Sequence, residues 1–265
     1  MTVKQYFPKP VIQFAKTIYA IAYRINPVVL TTSTFNNYSR EDRQKSMLPN
    51  EFNTFKATEL CHIMKSHGSD KALYSGVSEH NYTTFYYAAL SHLRHLPIRL
   101  FEVGIGSIDP SIEHNMGIDG TPGASLRAWR DFFPLAKIFG ADIDKSILFE
   151  EERIKTYFLD QTDPQTIKQM WADDDLLLDD FDVIIDDGLH RFEANKCLFE
   201  NSIHKLKIHG LYIVEDVNIG ETMQWKKLIS EIYTKKYQNL RFTVLKIPNS
   251  HNFRDNNLIV IERMS

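Results

Sequence analysis

A few short acidic stretches carry most of the chemistry open to this chain. Asp186-Asp187-Gly188-Leu189-His190 sets a carboxylate three residues before an imidazole, and Glu215-Asp216 sets two carboxylates side by side. Asp142, the pair Asp160-Gln161, and Glu102 just ahead of Gly104-Ile105-Gly106 complete the set. Three carboxylates brought together stay ionised only if a cation neutralises them. Oxygen donors favour a hard ion, which makes Mg2+ the first choice and Mn2+ or Ca2+ the alternatives for Asp187, Glu215 and Asp216. An imidazole titrates near neutral pH, so His190 suits the work of a general base. The glycines let backbone come close to a ligand, but Asp109 stands at the third glycine position of G-x-G-x-x-G, which disfavours a nicotinamide dinucleotide.

Those residues can act together only if the chain folds them to one place. Apolar runs at residues 99–103, 136–141, 156–159, 181–185 and 211–214 read as strands, with two more at 241–247 and 257–263. Helical spacing occupies 59–66, 82–96, 124–133, 166–172, 192–206 and 221–237. Strands without polar alternation, separated by helices, predict a parallel sheet covered on both faces. The expected fold is therefore a doubly wound α/β sheet of the Rossmann type, with the last two strands forming an antiparallel edge. Ligands of such a sheet sit beyond the carboxyl ends of the strands. Glu102, Gly104, Gly106, Asp142, Asp160, Gln161, Asp187, Glu215 and Asp216 all fall there. The fourth and fifth strands are expected to be neighbours, roughly 4.8 Å apart, which brings Asp187 to Glu215 and Asp216. An acid after the second strand suits both hydroxyls of a ribose, which assigns Asp142, and Asp160-Gln161 suits an adenine edge. No pyrophosphate cradle accompanies them, so the expected cofactor is a nucleoside without phosphates, S-adenosylmethionine.

Composition bounds the alternatives. The chain has 265 residues, 43% of them hydrophobic and 25% charged, enough for one sizeable core with additions. A net charge of -3 and a pI near 6.4 argue against a protein built to coat nucleic acid. Cys61 and Cys197 provide neither a disulfide framework nor a thiolate zinc site, which points to a reducing cytoplasm. Residues 11–30 are apolar but interrupted by Lys16, Arg24, Asn26 and Pro27, too charged for an integral membrane segment. They predict an amphipathic helix lying on the main domain or on a second copy of the chain, with membrane-surface attachment as the alternative. Residues 36–50 are polar and read as a linker. The expected organisation is thus 1–50 helix and linker, 51–98 helical cap, and 99–265 the cofactor-binding domain. In the cap, Tyr82, Phe85, Tyr86 and Ala89 share a helix face and read as core. Asp173-Asp174-Asp175 reads as a solvated turn, and His251 as a residue of a polar loop near the far end of the sheet, with a substrate contact as the lesser alternative.

Taken in order, Glu102-Val103-Gly104-Ile105-Gly106, the stretch from Gly123-Ala124-Ser125 to Phe133-Pro134, and Gly140-Ala141-Asp142-Ile143-Asp144 resemble class I S-adenosylmethionine-dependent methyltransferases. With Asp186-Asp187-Gly188-Leu189-His190 and Val214-Glu215-Asp216 the chain is similar to the metal-dependent sugar O-methyltransferases of the mycinamicin (macrolide) 2''-O-methyltransferase family. His67-Gly68-Ser69-Asp70-Lys71, followed by His80 and Tyr82, matches the upstream segment of that family. The resemblance spans about residues 60–262 and leaves the first fifty or so outside it. It implies that Asp187, Glu215 and Asp216 hold Mg2+, that His190 is the base, and that Ser69, Glu102, Ser125, Asp142 and Gln161 surround the cofactor. Leu189 replaces the small residue usual before the histidine, and residues 107–122, with Glu113, His114 and Asn115, form a long substrate-facing lid.

The expected reaction is methylation of a sugar hydroxyl, with a bacterial surface polysaccharide or a sugar nucleotide as the first acceptor class and a glycosylated polyketide as the second. A non-catalytic cofactor-binding partner is the alternative outside enzymology. Against it stand the intact metal-type residues, which such a subunit has no reason to keep. A hydroxylase would want more imidazole ligands for iron than His190 alone supplies.

Overall fold

A computed structural model describes residues 30–35, 47–49, 52–54, 56–73, 80–249, 252 and 254–264. Nine strands among them form one sheet: β1 (Leu30–Phe35), β2 (Arg99–Val103), β3 (Lys137–Asp142), β4 (Glu150–Glu151), β5 (Ile154–Phe158), β6 (Phe181–Asp186), β7 (Leu206–Val214), β8 (Leu240–Lys246) and β9 (Asn257–Arg263). Their order is β1-β8-β9-β7-β6-β2-β3-β5-β4. Strands β5, β3, β2, β6 and β7 run parallel, as expected for β2 and β6, whose residues are nearly all buried. Strands β9, β1 and β4 run the other way, and β9 is interior, hydrogen-bonded to β7 on one side and β8 on the other.

Two strands lie outside the sequence reading. The two-residue β4 pairs with β5. At the opposite end β1 pairs antiparallel with β8, with a register irregularity between Thr31 and Ser33. Leu30, expected at the end of a helix, is its first residue. The run Thr31-Thr32-Ser33-Thr34 is rich in β-branched residues, and it covers the edge that β8 would otherwise present to solvent. The rest of the expected 11–30 helix lies outside the described residues, as does His251 and all of the 36–50 linker but residues 47–49.

Among the described residues, six helices of eight residues or more cover the sheet: α1 (Glu59–His67), α2 (Tyr82–Leu90), α3 (Ala124–Phe132), α4 (Pro164–Trp171), α5 (Phe192–Ser202) and α6 (Ile219–Leu228), the last running on into a π-helical turn at Ile229–Tyr233. Local chemistry sets their ends. The Thr58 side chain accepts the Cys61 N–H at 3.3 Å to start α1, and Gly68, at φ +81°, closes it in the left-handed conformation that glycine adopts without strain. Asp163 caps α4 ahead of Pro164 at its first position.

Alternation along β2 divides the core in two. Leu100 faces a layer of Leu60, Met64, Tyr82, Phe85, Tyr86 and Trp129, so α1, α2 and α3 share one apolar cluster with the sheet. Phe101 faces Trp171, Phe181 and Phe199 on the other side. No helix among the described residues is long and apolar enough to cross a membrane. Phe101 packs its ring 4.7 Å from Trp171 and 5.5 Å from Phe181, fully buried. Phe101→Ala is expected to cost about 3–5 kcal/mol in urea unfolding; a loss below about 1 kcal/mol would contradict a rigid second layer.

Candidate active site

The parallel ladder continues one residue past the strands, and that continuation carries the acids. The Asp187 N–H donates to the Val103 carbonyl at 2.9 Å, and the Glu215 N–H donates to the Asp186 carbonyl at 2.9 Å. The ends of β2, β6 and β7 are thereby pinned side by side. Gly104, at φ +84°, turns the chain away from β2 so close to this ladder that a Cβ there would meet the Asp187 carbonyl oxygen at 1.9 Å. Only glycine satisfies both demands.

A cavity of about 450 Å³ opens above these ends, within the size range of small-molecule sites. Ser69, Gly104, Gly106, Ser125, Asp142, Asp160 and Gln161 line it, and so do Asp187, His190 and Asp216. Glu102 and Glu215 do not. Glu102 is fully buried behind the wall, where one oxygen accepts the Ser125 hydroxyl and the other the Trp129 indole N–H, each at 2.6 Å. Asp142 lines the cavity while its two oxygens accept the Ile105 and Asp144 N–H groups, both at 2.9 Å, so it also shapes the glycine turn. Gln161 has both ends of its amide engaged: it donates to Asp186 at 2.6 Å and accepts the Leu189 N–H at 2.8 Å. It ties the end of β5 to the His190 loop. Asp160 accepts the Thr162 N–H and hydroxyl.

Asp187, His190 and Asp216 converge, with one oxygen of each acid and a ring nitrogen within 4.8 Å of one another. The imidazole is sandwiched: Nε2 lies 3.2 Å from Asp187 and Nδ1 3.4 Å from Asp216. His190 and Asp216 both have positive φ, +52° and +54°, a conformation uncommon outside glycine and concentrated at functional sites. Glu215 turns the other way. One of its oxygens accepts from Tyr86 and the other from Lys71 at 2.8 Å.

Sequence gives Lys71 no role, yet it lies at the centre of the acids. Its side chain is 3% exposed, and Nζ pairs with Asp187, with Glu215, and with Glu102 at 3.5 Å. Tyr82 and Tyr86 were read as core and are core; their hydroxyls nonetheless reach the acids, Tyr82 donating to Asp216 at 2.7 Å and Tyr86 to Glu215. A signal for them existed in two tyrosines four apart on one helix face, since a buried phenol requires a polar partner. His80 joins the same acid, 3.3 Å from Asp216.

The lid sequence does cover the cavity: Ser111, Ile112, Glu113, His114 and Met116 line it. His114 lies 5.0 Å, ring centre to ring centre, from His190, and Glu113 pairs with Arg191 across the mouth. The Asp173–Asp175 stretch caps a single helical turn and pairs with Lys155 at the far end of the sheet.

Burial and mutual repulsion shift the ionisation of these groups. Burial would lower the His190 pKa, but Asp216 and then Asp187 outweigh it and raise it from 6.5 to about 10. Burial would raise Asp187, yet Lys71 and His190 bring it down to about 2. Glu215 is pushed well above the carboxylate range by burial and by Asp187, Glu102 and Asp216, with Lys71 only partly offsetting. Asp186, fully buried, rises to about 6 and leaves one oxygen without a partner among the described residues. Lys71 sits among Glu102, Asp187 and Glu215, and His190 between Asp187 and Asp216. The two acids whose side chains line the cavity, Asp187 and Asp216, offer oxygen donors that fit a hard divalent cation. The cavity beside the glycine turn fits a nucleoside.

Comparison with known proteins places the fold. With the mycinamycin-pathway methyltransferase MycE, solved with Mg and SAH, the chain superposes at TM-score 0.60 and 24% identity, over 79% of this chain and 56% of that one. This is the class I methyltransferase fold. No family model matches the sequence. Among curated proteins it is 31% identical over 166 residues to the 8-demethyl-8-alpha-L-rhamnosyl tetracenomycin-C 2'-O-methyltransferase of Streptomyces olivaceus, covering 63% of this chain and 39% of that protein. It is 33% identical over 140 residues to demethylmacrocin O-methyltransferase of Streptomyces fradiae, covering 53% and 32% respectively. The mycinamicin VI 2''-O-methyltransferase of Micromonospora griseorubida matches at 30% over 138 residues. The relatives are sugar O-methyltransferases of polyketide pathways, and the chain spans less than two fifths of the length of the curated relatives it matches.

The shifts give the pH dependence its sign. His190, raised above its unfolded value, contributes stability that is complete below pH 6.5 and lost as pH rises through about 10. In EDTA, the thermal midpoint is expected to fall between pH 7 and 10, and His190→Asn to remove most of that fall. An equal slope in the variant would contradict the sandwich of His190 between two carboxylates.

Proposed function

We propose that this chain methylates a sugar hydroxyl, using S-adenosylmethionine and a divalent cation, with Mg2+ the first choice. The observation that carries the reading is the convergence of Asp187, His190 and Asp216 at the wall of the cavity beside the glycine turn. The acceptor we favour is the sugar of a glycosylated polyketide. The relatives act in that chemistry, and nothing in them supports the surface polysaccharide expected from sequence.

In this reading Gly104, Gly106, Ser69, Ser125, Asp142 and Asp160 hold the cofactor, with Glu102 fixing Ser125 from behind and Gln161 fixing the loop beneath. Asp187 and Asp216 hold the cation, with Glu215 beside them. When bound, the cofactor supplies an electrophilic methyl group, and the cation lowers the pKa of the acceptor hydroxyl. His190 then has one task. Asp216 orients the ring through Nδ1, and Nε2, on the Asp187 side, would take the acceptor's hydroxyl proton. The bound cofactor would supply the methyl carbon and keep the C–S electron pair on its sulfur, so this chain need supply no acid to a leaving group. Asp216 and then Asp187 raise the His190 pKa to about 10, and a cation held by those carboxylates would bring it back toward neutrality. The lid, latched by Glu113 to Arg191, excludes water and orients the acceptor.

The acceptor is a small molecule, not a nucleic acid, and the reading assigns the chain to the cytoplasm, where the free thiols of Cys61 and Cys197 stay reduced. A non-catalytic partner is disfavoured, because such a subunit has no reason to keep Asp187, His190 and Asp216 together at the wall of the cavity.

Calorimetry with S-adenosylhomocysteine and NAD, followed by methyl-transfer assays on rhamnosylated tetracenomycin and macrolide acceptors with and without EDTA, tests the reading. Binding of the former at micromolar levels, no binding of NAD, and EDTA-sensitive transfer are expected. His190→Ala is expected to lower kcat by about 100-fold or more while S-adenosylhomocysteine binding stays within about threefold of the original. Transfer that resists EDTA would remove the cation from the mechanism. Methylation of polysaccharide but not of polyketide glycosides would restore the other acceptor class.

A further inference from the structure

Nothing in the reaction just described calls for a lysine, yet Lys71 is the most deeply buried cation of the site, and it sits among the acids that would hold the metal. It comes from the loop after α1, outside the sheet, and reaches the ends of three different strands at once: Glu102 of β2, Asp187 beyond β6 and Glu215 beyond β7. Its backbone is held as well, with the N–H 3.4 Å from the Ser69 hydroxyl and the carbonyl accepting the Thr83 N–H at the start of α2. An ammonium so placed does what a metal ion does for the same carboxylates: it lets them lie together.

We infer that Lys71 is a positioning residue that acts as a resident counter-ion. Its fixed positive charge holds Asp187, Glu215 and Glu102 at site spacing before any divalent cation arrives. It then competes with that cation for Asp187, keeping metal binding weak enough to exchange. The inference rests on the divalent-cation reading of the preceding subsection. A lysine with a merely structural role makes the opposite demand: removing it would disorder the acids and weaken metal binding. A resident counter-ion makes its removal tighten binding, because the acids then lack a neutralising charge.

The sign of that change is the test. Mn2+ affinity is measured on the full chain without nucleotide, by calorimetry and by the electron paramagnetic resonance of free Mn2+. The unaltered protein is compared with Lys71→Met, and Glu102→Gln with the double variant Glu102→Gln/Lys71→Met. The second pair carries less buried negative charge, so it answers the question even if Lys71→Met alone does not fold. Lys71→Met is expected to tighten Mn2+ binding at least tenfold in the Glu102→Gln background, and by as much in the original one where it folds. The metal-free thermal midpoint falls and saturating Mn2+ restores it. Unchanged or weaker Mn2+ binding in the Glu102→Gln background overturns the role of Lys71 while leaving the cation site standing. Absence of Mn2+ binding in every variant removes both.

Discussion

Desolvated like charge is the constraint on which the rest of this molecule depends. Glu102, Asp187, Glu215 and Asp216 are carried to one place by the ends of adjacent buried strands. An isolated carboxylate in such surroundings takes up a proton, and four of them repel. Two cations, Lys71 and His190, and two phenols, Tyr82 and Tyr86, make the cluster tolerable. The positive φ angles of His190 and Asp216 follow from the same demand, since each loop must double back to aim a side chain at the cluster.

Because Lys71 and the two phenols come from the loop after α1 and from α2, the helical cap and the sheet are coupled through the site as well as through the core. The stripe of α2 that buries Phe85 and Ala89 under the sheet also delivers the hydroxyls of Tyr82 and Tyr86. Apolar burial positions these phenols, and the phenols in turn anchor the acids. The oxygens of Asp187 and Asp216 give the cavity they line a chemical preference for a cation. Stability and function therefore draw on the same contacts.

The loop at residues 107–122 plays a different part. It is attached at its base by Ser107, which donates to Asp144 at 2.5 Å, and across the cavity by Glu113 and Arg191. Its cavity-facing residues mix apolar and polar groups, Ile112 and Met116 with Ser111 and His114. A fold shared with many transferases leaves the choice of acceptor to such a segment.

Much of this was readable from sequence because it depends on local pattern. The unbroken apolar runs of β2 and β6 had to be interior strands, and acids directly after such runs had to stand at a sheet's ligand edge. The convergence of Asp187 with His190 and Asp216 follows from strand order, which alternation with helices largely sets. Strand β1 was not readable, because its partner β8 lies some two hundred residues away and no local period distinguishes a covering edge strand from a polar connector. Nor was the direction of each carboxylate. Glu215 and Asp216 are neighbours in sequence, yet one turns inward to Lys71 and Tyr86 and the other toward His190. Gln161, suited by type to an adenine edge, has its amide occupied by Asp186 and Leu189. Sequence determined which groups reach the strand ends; tertiary structure decided which of them are neutralised from behind and which face the cavity. The reason is physical. Position along a strand is a local property of the chain, but the charge on a buried acid depends on every group packed around it, and here the deciding one, Lys71, arrives from outside the sheet.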